Sequence, residues 1–253
     1  LCKGIATHSG VDPRAVAPLI VLASAAIVFP VLFFVPAPYG RYLRSGFGPT
    51  IPSRLGWFAM ELVSLVLFAW AFWTMSPFHH QPEAIWVASL WLLHYTQRAL
   101  VFPLLMKDQG KQKPLLTVLL AVAFNSVNAI SNGAAIAPRS LDVKVVIGVV
   151  LFFTGFVINL HADAVLRSLR KPGDTGYSIP HGGLYKFISC PNYFGEILEW
   201  VGFAIAAWTL PALAFAVFTF ANLFPRAVAH HRWYREKFPD YPKDRTPIIP
   251  FVG

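Results

Sequence analysis

Between Arg14 and Arg41 the chain carries no charged side chain. About 20 apolar residues cross the hydrocarbon core of a bilayer as one helix, even with prolines such as Pro18 and Pro30 inside. The pattern then recurs. A second apolar stretch runs from Leu55 to Met75 with Glu61 as its one charge, and a third from Ala84 to Met106 with Arg98. A fourth lies between Lys113 and Arg139, and a fifth between Lys144 and Asp163. The stretch from Asn192 to Arg226 is too long for one crossing and fits two short helices turning near Thr209-Leu210-Pro211. The expectation is an all-α integral membrane protein, a bundle of seven transmembrane helices forming a single domain over residues 1–253.

Composition agrees: 56% of residues are hydrophobic and 13% charged, where a soluble domain carries about a quarter charged. The chain is too short for a separate catalytic domain after its spans, so any active site must be built from helices and their loops. The net charge of +9 would suit nucleic acid only on a soluble domain, and none is evident, so no nucleic-acid partner is expected. Cys2 and Cys190 form no CxxC motif, which argues against a zinc or redox site, and no metal is expected. The first apolar run reads as a retained helix rather than a leader.

Lysine and arginine alternate by loop. Arg41, Arg44 and Arg54 follow the first stretch, Lys107, Lys111 and Lys113 the third, Arg167, Arg170, Lys171 and Lys186 the fifth, and Arg226, Arg232, Arg235, Lys237, Lys243 and Arg245 the last. Sixteen of the 21 basic residues thus share one side, and the positive-inside rule puts the N-terminus outside and the C-terminus in the cytoplasm. The segment from Lys171 to Ser189 is rich in turn residues and too long for a mere connector; such a loop can cover a cofactor.

That topology assigns depth. Glu61 stands about two turns in from the cytoplasmic side, and Tyr95 and Arg98 two to three turns. Asn159, Asp163 and Arg170 fall on one face of the fifth helix, Asn192, Glu196 and Glu199 on one face of the sixth, and Arg226, His230 and Tyr234 follow each other at intervals of four on the seventh. A single intramembrane acid or arginine is often half of a structural ion pair, and a single tyrosine is usually packing. His230 and His231 are adjacent and point apart, a poor metal pair. Trp57, Trp70, Trp73, Trp86, Trp91 and Trp233 read by default as interfacial or lipid-facing. Convergence of five helices at one level argues instead for a common cavity, open to an apolar reactant from lipid and an anionic one from the cytoplasm. Arg170 and Lys171 suit phosphate, and with no G-x-G-x-x-G between strand and helix a dinucleotide would need side chains for its diphosphate.

Longer runs carry a resemblance. Asn159-Leu-His-Ala-Asp163 through Leu166-Arg-Ser-Leu-Arg170-Lys-Pro-Gly173, Tyr177-Ser-Ile-Pro180, Gly182-Gly-Leu-Tyr185 and Pro191-Asn-Tyr-Phe-Gly-Glu196-Ile-Leu-Glu199-Trp200 resemble the steroid 5α-reductase family, type 2 in particular. So do Arg226, His230-His-Arg-Trp-Tyr234, Phe238-Pro-Asp-Tyr241-Pro-Lys and Ile249-Pro-Phe251, and upstream Tyr39-Gly40, Trp57-Phe-Ala-Met-Glu61 and Leu93-His-Tyr95. The resemblance covers nearly the whole chain.

It implies a seven-helix enzyme that passes hydride from NADPH to C5 of a 3-oxo-Δ4-steroid, with a proton added at C4. Its substrate pocket would lie mainly in helices one to four and its NADPH-binding part mainly in 155–253. Glu61 and Tyr95 would hydrogen-bond the C3 carbonyl and stabilise the developing enolate; a protonated Glu61 would donate directly, an ionised one would polarise the Tyr95 hydroxyl. The implied cofactor contacts are Asn159, Asp163, Arg170, Tyr177, Asn192, Glu196, Arg226, His230 and Tyr234, and the implied substrate contacts are Tyr39, Trp57, Arg98 and Trp200. Two positions depart from the type 2 pattern: Met60 stands where it has Gln, and Ser178 where it has Arg.

Rival readings are a 2-enoyl-CoA reductase, which shares the chemistry of a carbonyl-conjugated alkene, and an isoprenylcysteine methyltransferase-like enzyme. The latter shares the Pro191-Asn-Tyr-Phe-Gly195 element but has Arg-His before that proline, where this chain has Ser189-Cys190. Steroid would enter from the bilayer. The expected compartment is the endoplasmic reticulum membrane in a eukaryote and the cytoplasmic membrane in a bacterium, and a monomer is expected.

Overall fold

The computed structural model describes residues 13–107, 110–171, 173 and 176–250; Cys2, Lys3, Pro172 and Phe251 lie outside the described residues. Its elements in chain order are α1 (Pro13–Phe34), β1 (Thr50–Pro52), α2 (Ser53–Met75), α3 (Pro82–Thr96), a π turn (Gln97–Val101), α4 (Phe102–Leu105), β2 (Gln112–Pro114), α5 (Leu115–Ala135), α6 (Val143–Ser168), α7 (Pro191–Ala207) and α8 (Leu210–Lys237). Five helices are long and apolar enough to cross a membrane: α1, α2, α5, α6 and α8. Large apolar side chains such as Phe34, Trp70, Trp73, Leu120, Val157 and Leu213 stand exposed on their outer faces, a surface that suits lipid and not water.

The third apolar stretch is one rod in three pieces. Pro103 has no N–H to return to Ala99, and the Phe102 N–H instead bonds to Gln97 O, five residues back. The helix widens there and sets Gln97, Arg98 and Ala99 into the interior. A π turn inside a helix often marks a functional site.

The segment from Asn192 to Arg226 is indeed a hairpin. It turns at Trp208, which takes a left-handed conformation (φ 53°), and Thr209 caps α8 by accepting from the Ala212 N–H at 3.3 Å. Helix α8 continues to Lys237, so Arg226, His230 and Tyr234 lie on one helix as their spacing implies, and Arg232 and Arg235 lie on it with them. One boundary differs: α6 ends at Ser168, so Arg170 lies beyond the helix whose face it was expected to share.

Helices α6 and α7 are the closest pair, and glycine explains why. A Cβ on Gly148 would lie 2.6 Å from Ala206 N, and one on Gly195 would lie 2.6 Å from Gly155 O. Gly148 and Gly155 on α6, and Gly195 and Gly202 on α7, are each seven residues apart, so their open faces coincide and the backbones touch. Elsewhere α1 packs on α8 and α2 on α5. The core holds Phe68, Phe72, Trp91, Tyr95, Phe152, Trp200, Phe203 and Phe215. Trp91 is fully buried, and it stacks on Phe68 at 4.7 Å, against the expectation of a lipid-facing tryptophan.

The all-α expectation misses one short two-stranded sheet. β1 and β2 run antiparallel with Ile51 opposite Lys113, tying the entry of α2 to that of α5. The segment before α7 is strapped to the C-terminal segment: the Ser189 N–H donates to Thr246 O at 2.9 Å and the Thr246 N–H to Phe187 O at 3.0 Å.

Candidate active site

Close approach of α6 and α7 brings their polar residues together. The Asn159 amide donates to Asn192 O at 3.0 Å and to Glu196 Oε2 at 3.4 Å. The Asn192 amide donates to Asp163 Oδ1 at 3.5 Å. From the π turn, the Arg98 guanidinium donates to Asp163 Oδ2 at 3.1 Å and faces Glu196 Oε2 at 3.6 Å. Trp57 lies flat beneath it, 4.7 Å from ring centre to guanidinium carbon, and its indole N–H donates to Arg98 O at 3.1 Å. One network thus joins Arg98, Asp163, Glu196, Asn159 and Asn192, with a single guanidinium shared between two carboxylates and the asparagine amides donating to both.

Glu61 on α2 lies within electrostatic reach of Arg98, Glu196, His94 and Lys113, and Tyr95 on α3 lies within reach of Glu61. Acid and phenol come from different helices, and each lies within electrostatic reach of Arg98 and Glu196. Tyr95 is 4% exposed and packs on Trp91 and Trp200 at 4.9 and 5.7 Å. Trp200, 1% exposed, therefore forms a wall beside Tyr95.

The remaining expected residues gather in a second place, a cavity of about 190 Å³ near the C-terminal ends of α1 and α8. Tyr39, Arg41, Tyr42, Arg170, Tyr177, Tyr193, Arg226 and His230 line it. His230 is held by both ring nitrogens, Nδ1 to the Tyr42 hydroxyl and Nε2 to the Tyr193 hydroxyl, each at 3.1 Å. Arg226 donates to Tyr193 at 3.0 Å and lies 5.2 Å from the Tyr39 ring centre. Arg41 is clasped by Trp233, Tyr234 and Tyr177 and donates to the Tyr234 hydroxyl at 3.4 Å. Tyr234 thus acts on the cavity through Arg41. Burial pushes the Tyr42 hydroxyl up to about 12, so it stays protonated as a neutral hydrogen-bonding group.

A dinucleotide phosphate fits this donor set. Arg41 and Arg170 line the cavity and each keeps a buried Nη1 without a hydrogen-bond partner. Among the described residues no acid lines the cavity, and unsatisfied cationic donors in such a lining suit an anion. The two groups of residues are linked, since Arg226 lies within electrostatic reach of Glu196.

The expected catalytic, cofactor and substrate residues are all among the described residues, and they fall into two groups. Tyr39, expected on the steroid, stands in the cationic cavity. Asn159, Asp163, Asn192 and Glu196 line no part of that cavity and belong to the network around Arg98. Arg41, Tyr42 and Tyr193 were not singled out; the aromatic-basic pattern Tyr39-Gly-Arg41-Tyr42 was the available signal. His94 was also passed over, and its ring meets Glu199 at 2.7 Å. Among the described residues no group of three His, Cys, Asp or Glu side chains is placed to hold a metal ion, and His231 turns away from His230 to Ser189.

Comparison with known proteins accords with this arrangement. A family model described as "3-oxo-5-alpha-steroid 4-dehydrogenase" matches residues 111–253. The 3-oxo-5-alpha-steroid 4-dehydrogenase 1 of Bos taurus is 45% identical over 241 residues, covering 91% of this chain and 93% of the relative. The protein of the same name from Homo sapiens is 43% identical, covering 85% of each. The 3-oxo-5-alpha-steroid 4-dehydrogenase 2 of Homo sapiens is 39% identical, covering 86% of this chain and 88% of the relative, so the likeness extends to both types. Identity at this level over nearly the whole length of both partners settles one matter: the chain belongs to the 3-oxo-5-alpha-steroid 4-dehydrogenase family.

Proposed function

We propose that this chain is a membrane oxidoreductase that reduces the Δ4 double bond of 3-oxo-Δ4-steroids to 5α-dihydro products, with NADPH as the hydride source. The observation that carries the reading is Tyr95 packed against Trp200 with Glu61 within electrostatic reach, in a chain whose relatives are named for this chemistry. NADPH, when bound, would supply the hydride to C5, the β-carbon of the enone, and the enolate so formed takes a solvent-derived proton at C4 to give the saturated 3-ketone.

The residues of the chain supply the rest. Adding a nucleophile at C5 moves negative charge onto the C3 oxygen, and Glu61 and Tyr95 hydrogen-bond that oxygen as the charge develops. Donors fixed before reaction stabilise it without reorganising, which lowers the barrier. The network of Arg98, Asp163 and Glu196 holds the neighbouring charges in place and keeps Trp57 against Arg98. Tyr95 and Trp200 exclude water from the reacting carbons. Arg41, Arg170 and Arg226, with Tyr177 and His230, hold the phosphates in the cationic cavity, while Asn159, Asn192 and Glu196 are read as nicotinamide or ribose contacts.

This assignment places the steroid pocket mainly among the first four rods and the cofactor part mainly in 155–253, joined by Tyr39, Arg41 and Tyr42. It takes seven crossings, the broken rod 82–105 and α7 completing the five longer spans, with the N-terminus outside and the C-terminus cytoplasmic, as the distribution of basic residues supports. Steroid enters from the bilayer. An endoplasmic reticulum membrane suits the eukaryotic relatives.

Membranes containing the chain are given NADPH and progesterone or testosterone, and the conjugated-enone absorbance is followed. NADPH-dependent loss of that absorbance is expected; membranes that leave both steroids intact would overturn the reading.

A further inference from the structure

Lys113 belongs by sequence to the charges of a loop, yet it is 5% exposed. Local structure accounts for the burial. Lys113 sits in β2 opposite Ile51 of β1, at the foot of α2. Its stem packs beside Gly56, where an added Cβ would lie 3.5 Å from Lys113 Cδ, an ordinary van der Waals contact. The ammonium then stands between two rings, 5.2 Å from the centre of Tyr39 and 4.7 Å from that of Trp57, contacts that favour a cation. Three charged groups face it: Glu61 from α2, Arg98 from the π turn and Arg226 from α8. Among the described residues it forms no ion pair with a carboxylate. A buried ammonium that joins Tyr39 of the cationic cavity to Trp57 and Glu61 of the acid–phenol site is poorly placed for a headgroup charge.

We propose that Lys113 is a positioning residue for the reduction, whose ammonium, clamped between Tyr39 and Trp57, offsets the negative charge that gathers around Glu61 when the C3 oxygen becomes an enolate. The inference rests on the reading of Glu61 as a carbonyl-binding acid. In a water-poor interior a unit charge acts over several ångströms with far more force than in water, and Trp57 carries the same clamp to Arg98 through its ring and its N–H. Burial pushes the ammonium down to about 8, the two arginines add to that, and Glu61 opposes it. Lys113 therefore carries its charge below about pH 8 and loses it above.

The test compares kcat and KM from pH 6 to 10 for the wild type, K113M and K113R in membranes, with thermal unfolding run on each. In the wild type kcat should fall as pH rises through about 8. K113M should have a kcat about tenfold below the wild-type plateau, a steroid KM changed less than about twofold, and no fall near pH 8. K113R keeps the charge, so it should recover at least half of the rate and shift the alkaline fall upward by more than about one pH unit. A fall near pH 8 that persists in K113M, or equal losses in K113M and K113R, would overturn the proposal while leaving the reductase reading intact. An inactive wild type would sink both. Should K113M unfold, K113Q is judged by the same profile.

Discussion

His94 Nδ1 and Glu199 Oε1 meet at 2.7 Å in the middle of the bundle, with side chains 3% and 0% exposed. The pair joins α3 to α7, and the imidazole packs edge-on against Trp200 at 4.6 Å and Tyr95 at 4.9 Å. The other carboxylate oxygen, Oε2, is buried without a partner. Removing one member of a buried pair strands the other. Glu199→Ala should lower stability by about 2 kcal/mol, the order expected when a buried imidazole nitrogen loses its hydrogen-bond partner, and Glu199→Gln, which keeps one hydrogen bond, by less. Thermal unfolding in detergent checks this order; unchanged midpoints for both variants would mean that the contact contributes nothing.

Glu61→Gln and Tyr95→Phe should each lower turnover at least about tenfold with the protein still folded, as expected when a contact made to the developing enolate is lost. Steroid reduction and thermal unfolding, measured on the same preparations, separate lost chemistry from lost fold. Wild-type rates in both variants would remove these two residues from the mechanism.

Arg170→Ala and Arg226→Ala differ in what surrounds the lost cation. Arg170 has an unpaired Nη1 and an aromatic neighbour in Tyr177 at 5.5 Å, so its removal should weaken NADPH binding about tenfold and change little else. Arg226 also holds Tyr193 and, through it, His230, so its removal should weaken NADPH binding and lower the unfolding midpoint too. Titration of NADPH against protein fluorescence, at two salt concentrations, reads the first effect; a weakening independent of salt would argue against phosphate as the group held.

The helical rods were legible because hydrocarbon forbids charge, so their ends are written in Arg14, Arg41, Lys113, Arg139 and Lys144. The clustering of Asn159, Asp163, Asn192 and Glu196 was legible through helical spacing, which puts each pair on one face of α6 or α7. Pairing was harder to read. Nothing in a hydropathy pattern says that Arg98 leans to α6 rather than to Glu61 alone; that follows from the π turn, whose cause, Pro103, acts through a missing N–H. The burial of Lys113 was hidden as well, because a lysine two residues from the start of α5 looks like a headgroup charge until β1 pairs with β2.

The glycines of α6 and α7 were visible but unread, and they support a sharp expectation. Gly148→Leu would drive a side chain into Ala206 N and Gly202 O, backbone atoms that cannot turn aside. The helices must part, and the asparagine and acid contacts between Asn159, Asn192 and Glu196 part with them. Gly148→Leu should therefore yield no folded protein on extraction, and Gly148→Ala a folded protein with a lowered midpoint and weaker NADPH binding. Gly46, whose added Cβ would meet nothing within 4 Å, has a positive φ of 96°, so Gly46→Ala should cost only about 1 kcal/mol through backbone strain and serves as the comparison. Equal behaviour of Gly148→Leu and Gly46→Ala in size-exclusion profiles would refute the close contact.

Cys190 precedes α7 and is 4% exposed, packed with Ala227 and Ile248. Burial pushes its thiol up to about 12, although Arg41 and Arg226 pull the other way. At pH 8 the thiolate is then only about one part in ten thousand, against roughly a quarter for an ordinary exposed thiol, and the thiolate is the reactive form. With Cys2 replaced by serine, the folded protein should resist N-ethylmaleimide at pH 8 for hours, and the denatured protein should react within minutes. The same shift has a sign for stability. The unfolded chain releases this proton from about pH 8.5 upward, and the folded chain holds it to about 12, so the contribution is intact below about 8.5 and declines across that window. Rapid modification of the folded protein at pH 8 would show that Ser189-Cys190 is open to solvent, which the strap from Thr246 to Ser189 and Phe187 is placed to prevent.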